Sequence, residues 1–178
     1  MVARPATEQD SRQLWLWRND PATRAGSRSP AEVPWDDHVR WFNASLTRSD
    51  RVLLVVEDRE GPVGTVRWDL VPEPGQAPGA GQEWEVSITV APGRRGRSLA
   101  RPLLRAAELA LSRNVSGGST GDTAEATWSG RTPVRAYLAV VHMDNLSSMR
   151  LFQTSAYVPD LPPDPQGFMR FRKVAQVT

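Results

Sequence analysis

The chain has 178 residues, 39% of them hydrophobic and 24% charged, with a formal net charge of +2; this suits one domain with a substantial core and argues against a nucleic-acid binder. Cysteine is absent, which excludes disulfides and thiolate metal sites, and two distant histidines argue against a histidine metal site. No run of 18 apolar residues offers a membrane span, and the start Met1-Val2-Ala3-Arg4-Pro5 lacks an apolar signal core, so a cytoplasmic protein is expected.

Thr7-Glu8-Gln9-Asp10 reads as a capping box with Asp in place of Glu, opening a helix over about Thr7 to Trp17. Leu14 and Trp15 or Trp17 turn inward. Asp20-Pro21 favours a turn, and Arg24 to Pro30 reads as loop. A second helix runs from about Pro34 to Leu46, with Trp35, Val39, Phe42 and Leu46 as its apolar stripe and His38 and Trp41 beside it. Arg51 to Glu57 and Pro62 to Leu70 form a hairpin, and residues 71–82 make a Pro/Gly-rich connection.

The most informative stretch is Glu83 to Leu111. Trp84, Val86, Ile88 and Val90 alternate with Glu83, Glu85, Ser87 and Thr89, the period of a strand whose polar face should border a cleft. Ala91-Pro92-Gly93 ends it, and Leu99, Leu103, Ala106 and Ala110 recur at helical spacing. Arg94-Arg95-Gly96-Arg97-Ser98 lies between. A helix start offers free backbone N–H groups and a positive dipole end, so such a turn suits a pyrophosphate. Read blandly, it is a solvated basic loop. Pro102 is tolerable in the first turn, where its missing donor is partly orphaned anyway.

A Ser/Thr/Gly-rich insert follows, about 112–132, and is expected to be flexible, with Trp128 as either an anchor or a lid. Val134 to Val141 is a strand. Asp144 caps a short helix to about Ser155, and Gly167 to Val174 is a last strand. Neither a repeat nor a long linker divides the chain, so a single domain over 1–178 is expected.

With these elements in order, the chain resembles the GNAT superfamily of acyl-CoA-dependent N-acyltransferases over almost its whole length. The family's coenzyme A motif, Gln/Arg-x-x-Gly-x-Gly/Ala after a V-x-P strand end, is matched by Arg95-Gly96-Arg97-Ser98-Leu99-Ala100 after Val90-Ala91-Pro92, with Ser98 in place of Gly. The second motif, Asn-x-x-Ala/Ser followed by Gly-Phe, is matched by Asn145-Leu146-Ser147-Ser148 with Ala156-Tyr157 for Gly-Phe. Leu16-Trp17-Arg18-Asn19 and His38-Val39-Arg40-Trp41-Phe42 look like the W-R-N and H-x-x-W-F signatures of a branch holding amino-sugar nucleotide (pseudaminic acid pathway) and protein N-terminal acetyltransferases.

The resemblance implies an α+β fold: a mixed central sheet of about six to seven strands, about four flanking helices and a splayed central strand pair. It implies acetyl-CoA as cofactor, held by Thr89, Val90, Arg95 to Ala100, Asn145 and Ser148. The implied reaction is direct acetyl transfer to a primary amine of a small molecule, by a monomer or homodimer. Glu85 is the first candidate base, or else simply an arginine's partner, with Glu83 second. His142 is a candidate base or acid, or a structural histidine. Phe152 stands where many members carry a tyrosine acid. Trp17, Arg18, Asn19, His38 and Trp41 are expected to wall the acceptor, and Arg18 or a loop arginine to hold the phosphates of a nucleotide sugar. A protein N-terminal acetyltransferase and a non-catalytic acyl-CoA binder are the competing readings.

Overall fold

The computed structural model describes residues 1–72, 81–116 and 132–176. A seven-stranded mixed sheet, in the order β1-β2-β3-β4-β5-β7-β6, organises them. Its strands are β1 Val2–Pro5, β2 Arg51–Asp58, β3 Gly61–Val71, β4 Gln82–Val90, β5 Val134–His142, β6 Val158–Leu161 and β7 Phe168–Val174. Every neighbouring pair is antiparallel except β4 and β5. The α+β sheet matches the expected class. The edge strands β1 and β6 are new. Each has four residues, Pro5 and Pro159 sit in them, and such segments give too few alternations to read as strands.

Among the described residues five helices flank the sheet: α1 Ser11–Asn19, α2 Pro21–Ala25, α3 Trp35–Thr47, α4 Ala100–Ser116 and α5 Leu146–Thr154. α2 corrects the reading of Asp20-Pro21 as a plain turn. Asp20 Oδ1 accepts from the Thr23 N–H at 3.0 Å and Pro21 opens the helix, so the dipeptide is a helix start. α4 runs on through Ser116, so the expected insert begins in helix; its remainder, including Trp128, lies outside the described residues, as does most of the 71–82 connection. The cap of α5 is Asn145, not Asp144: its Oδ1 accepts from the Ser148 N–H at 3.1 Å.

The two sheet faces differ in chemistry. One carries Val52, Leu54, Val56, Val66, Trp68, Trp84, Val86, Tyr137 and Ala139 against Leu103, Leu104, Ala107 and Leu111 of α4, and forms the main core. Behind β2 the other face carries Leu53 and Val55, which pack with Leu14, Trp17 and Phe42 of α1 and α3. Further along, this second face turns polar. Cross-strand register aligns Arg67 with Ser87, Asp69 with Glu85, and Glu85 with Leu138. Arg67, Asp69 and Glu85 are partly exposed and Ser87 is exposed, while Leu138 beside them is buried.

The buried stripe of α3 is shifted from the expected one. His38, Phe42 and Ser45 face inward, while Trp35 is exposed. Buried polar groups displaced the apolar ones because each has a partner: Ser45 Oγ donates to the Trp41 carbonyl at 2.7 Å, and His38 Nε2 meets the Ser11 carbonyl at 2.8 Å. At the N-terminus the Asp10 carboxylate accepts from the Thr7 N–H at 2.8 Å, as the capping-box reading requires, and also from Arg4 at 2.7 and 2.9 Å. Among the described residues no helix is long and apolar enough to cross a membrane, and no cluster of three His, Asp or Glu could hold a metal.

Candidate active site

Among the described residues the sheet opens at its one parallel pair. Register partners of β4 and β5 run from Gln82–Val134 to Val86–Ala139 and stop, although β4 continues to Val90 and β5 to His142. Ser87, Ile88, Thr89 and Val90 therefore pair with β3 on one side and with no strand on the other among the described residues. An unpaired strand edge offers backbone donors and acceptors to an extended ligand. Thr89 lies on the polar face, opposite Thr65, and Val90 packs into the main core.

The end of β4 leads into the basic turn. Pro92–Arg94 makes one 3-10 turn, and α4 starts at Ala100 after Leu99, whose carbonyl accepts from the Leu103 N–H at 3.0 Å. Gly96 has φ +75° and a Cβ there would meet open space, so the glycine serves the backbone conformation alone. Ser98 also has positive φ, +56°. The departure from Gly at this position thus holds a left-handed backbone with an L-residue. Gly64 sets how close the turn sits to the sheet. A Cβ on it would lie 2.3 Å from the Thr89 carbonyl and 2.6 Å from Leu103 Cδ1, so only glycine lets α4 settle beside the end of β4. Alternation alone gave no signal for Gly64.

The turn's arginines are positioned by acids. Arg94 is held by Asp58, Arg97 Nη1 reaches Glu60 at 3.0 Å, and Arg95 Nη1 reaches Asp20 at 2.6 Å while its Nη2 donates to Thr23 Oγ1 at 2.5 Å. An unpaired strand edge followed by a glycine-bearing turn, arginines and the N-terminus of a 17-residue helix fits an extended arm ending in a diphosphate.

The two glutamates of β4 have different fates. Glu83 is 8% exposed and shared by Arg172 Nη2 and Arg135 Nη2, each at 2.8 Å. Burial opposes its ionisation, but the two guanidiniums prevail and hold its carboxyl below the ordinary range. Such a group is a structural anion and a poor base. Glu85 is a third exposed, and its one partner among the described residues, Arg28 Nη2, is 3.4 Å away. Of the two, Glu85 is the carboxylate that a ligand can reach.

His142 ends β5. Its Nδ1 accepts from the Asp144 N–H at 3.3 Å, which leaves the proton of the neutral ring on Nε2. The ring lies edge-on to Phe168, and a Cβ on Gly167 would come within 3.0 Å of Nε2. Asn145 caps α5 and turns its Nδ2 to the Gly26 carbonyl at 3.5 Å, while Ser148 supplies the capped N–H. Phe152 is 3% exposed, packed against Tyr157 and Phe171. The nearby Tyr157 hydroxyl donates to Glu108 Oε1 at 2.8 Å on the α4 side, and burial, then Glu108, raises its pKa far above the ordinary value. Neither is placed as a proton donor to the cleft.

The expected acceptor wall is the part most changed. Trp17 is 7% exposed and belongs to the second core, not to a pocket surface. His38 is buried at 3%, stacks on Trp35, and is held to the Ser11 carbonyl; burial lowers its pKa, so it pins α3 to α1 in the neutral form. Arg18 and Asn19 grip the loop between α2 and α3. Arg18 Nη2 donates to the Ser29 carbonyl at 2.7 Å, and the Asn19 amide makes a two-way clasp with the Val33 backbone at 2.8 and 2.9 Å. Trp15 Nε1 adds a bond to the same carbonyl at 2.8 Å. Trp41 stays partly exposed beneath Arg51 and Arg67, whose guanidinium carbons lie 5.7 and 5.9 Å from its ring.

What these clamps position is a strap that the sequence reading passed over as loop. From Asp20 to Arg28 it touches Arg95 on the turn, Asn145 on α5, Glu85 on β4 and Phe168 on β7. A cavity of about 270 Å³ lies beneath Arg28, lined also by Asp164, Gln166 and Phe168.

No curated protein matches this chain. Several crystal structures share its fold at low identity. Spermidine N-acetyltransferase from Vibrio cholerae, in complex with CoA and spermine, superposes with a TM-score of 0.73 at 15% identity, over 97% of this chain and 94% of that one. The ribosomal-protein-alanine N-acetyltransferase of Brucella melitensis gives 0.71 at 19% identity, over 98% and 100%. Aminoglycoside acetyltransferase AAC(6′)-Ib in complex with coenzyme A gives 0.72 at 15% identity, over 97% and 94%. The family model described as an acetyltransferase (GNAT) domain matches residues 1–157, which contain the splayed pair, the basic turn and the Asn145 cap. The chain therefore belongs to the GNAT family and is an acetyl-CoA-dependent N-acetyltransferase.

Proposed function

We propose that the chain, as a single domain, acetylates a primary amine of a small molecule, such as an amino sugar, a sugar nucleotide or a metabolite amine, by direct attack. The observation that carries this reading is the placement of Glu85 on the open polar face, two residues before Ser87, where β4 loses its partner strand. The cofactor's pantetheine arm would lie along Ser87 to Val90, its diphosphate on Arg95 to Ala100, with Asn145 and Ser148 at the start of α5 beside it. When bound, acetyl-CoA supplies a thioester acyl carbon to which the freed amine adds, with the thiolate leaving.

Glu85 takes one proton from the incoming ammonium group, directly or through one water, and so exposes the nitrogen lone pair. The backbone N–H of Val90, which the register turns away from β3, is suited to stabilise negative charge developing on a carbonyl oxygen. His142, at the end of β5, is the donor for the departing group in its imidazolium form, and the second proton shed by the acylated nitrogen passes to water. The position of His142 supports that role where Phe152 cannot serve. The strap from Gly26 to Arg28 crosses the cleft and favours a small acceptor over an extended peptide, which needs an open groove.

The test is thiol release from acetyl-CoA with a panel of amines and with short peptides. Glu85→Gln is expected to lower kcat by about 100-fold or more while coenzyme A affinity is kept. Full activity in that variant would remove Glu85 as the base. Faster turnover of peptides than of any small amine would replace the small-molecule reading.

A further inference from the structure

The strap and the floor beneath it carry more positive charge than they neutralise. Arg18 of α1 spends Nη2 on the Ser29 carbonyl, and its Nη1 is buried without a partner. Arg24 of α2 has Nε in the same condition. Among the described residues neither guanidinium pairs with a carboxylate. Burial, and then the charge of Arg24, lowers the proton affinity of Arg18, the signature of like charges held close. Buried N–H donors of a cation are costly to leave unpaired. Arg28, next along the strap, is more than half exposed and meets Glu85 only at 3.4 Å. On the floor, Asp69 is shared by Arg51 at 2.6 Å and Arg67 at 2.7 Å, so one carboxylate answers two guanidiniums.

We propose that the acceptor is an amine that also bears a carboxylate or phosphate, and that Arg18, Arg24 and Arg28 form the subsite for that anion. The inference rests on the reading of this cleft as the acceptor site. It adds a link between recognition and chemistry: an anion that draws Arg28 to itself releases Glu85 from its contact and leaves it free to take the proton. A polycationic amine meets three like charges instead.

The test has a turnover arm and a binding arm. Glucosamine 6-phosphate is compared with glucosamine, 4-aminobutyrate with its amide, and spermidine serves as the polycation. One or two charge-assisted hydrogen bonds predict that the acidic member of each pair leads by about 10-fold or more in kcat/KM at low salt. Arg24→Gln and Arg28→Gln should each cut that ratio by about 5-fold through KM, while coenzyme A affinity stays within about 2-fold. In the binding arm, calorimetry on protein saturated with coenzyme A should detect inorganic phosphate at low-millimolar affinity, lost in the Arg24→Gln/Arg28→Gln double variant. Turnover without acid preference overturns this inference and leaves the acetyltransferase reading standing. Weaker coenzyme A binding in the variants, with the ratio unchanged, assigns the arginines to the cofactor's phosphates and overturns it too. Absence of phosphate binding to the coenzyme A-saturated protein overturns it whether or not any of these amines turns over.

Discussion

Arg95 and Asp20 lie 75 positions apart in the chain, and their side chains meet at 2.6 Å. The contact joins the turn proposed to hold the cofactor's diphosphate to the residue that caps α2, the first helix of the strap. The Arg95 hydrogen bond, then the Thr23 backbone bond, holds the Asp20 carboxyl below its ordinary range, so it is a fixed anion beside the proposed diphosphate site. Asp20→Asn keeps an oxygen for the cap but removes the competing charge. Coenzyme A should bind about 2- to 10-fold more tightly at low salt, with the gain shrinking as salt rises. Calorimetry across a salt series reads this. Unchanged affinity would mean that Arg95 does not face the diphosphate.

Ser98→Gly and Ala156→Gly should each raise stability. These are the non-glycine residues with positive φ among those described, at +56° and +65°. Ala156 follows α5 in a Schellman arrangement: its N–H donates to Gln153 and the Tyr157 N–H to Phe152, with the Phe152 and Tyr157 rings in contact. A left-handed L-residue costs about 1–2 kcal/mol, offset by about 0.4–1 from the greater freedom of Gly in the unfolded chain. The expected net gain is about 0.5–1 kcal/mol per site, a rise in Tm of about 1–4 °C. A lower Tm in both variants would show that the side chains make compensating contacts.

Glu83→Gln should act on stability where Glu85→Gln acts on turnover. Removing the shared anion leaves Arg172 and Arg135 facing each other. Both keep 28–35% of their side-chain surface in water, so the loss is screened to about 1–2 kcal/mol. Denaturant midpoints for both variants, set beside kcat, separate the two roles. A large fall in kcat for Glu83→Gln with unchanged stability would reverse the assignment.

Acid should weaken the fold in two stages. His38 has a folded pKa below its unfolded value of about 6.5, so its contribution is complete above that pH and fades as pH falls through the lowered value. Asp10 and Glu83, also depressed, contribute fully above about 4 and lose that contribution as pH drops further. Urea titrations between pH 7.5 and 3 should show both limbs. His38→Gln should remove the upper limb alone, and a pH-independent midpoint down to pH 4 in the parent protein would exclude it.

Gly167→Ala should disturb His142. The added Cβ would come within 3.0 Å of Nε2, at a backbone φ of +84°. Turnover should fall about 10-fold or more through kcat if His142 donates the proton. An undiminished kcat with lowered stability would return His142 to a structural role.

Several features were legible in the chain before any folding was considered. The alternation from Glu83 to Val90, the turn at Arg94 to Ser98 and the helical spacing of Leu99, Leu103, Ala106 and Ala110 are local signals, and the strand, turn and helix lie where those signals put them. The polar face of β4 was equally plain, because period two assigns Glu83, Glu85, Ser87 and Thr89 to one side whatever lies opposite. Absence of cysteine settled the thiol chemistry outright.

Tertiary structure alone decided which of those polar groups is available. Glu83 and Glu85 are equivalent in pattern, and only the approach of Arg172 and Arg135 from β7 and β5 separates the locked carboxylate from the reachable one. Trp17, Asn19 and His38 look like a binding wall in sequence. In space they fill a core, clasp a loop and pin two helices, because a side chain's role depends on partners that are remote in the chain. The opening between β4 and β5, and the strap that crosses it, depend on long-range register and on contacts such as Asp20–Arg95, which no short-range periodicity encodes.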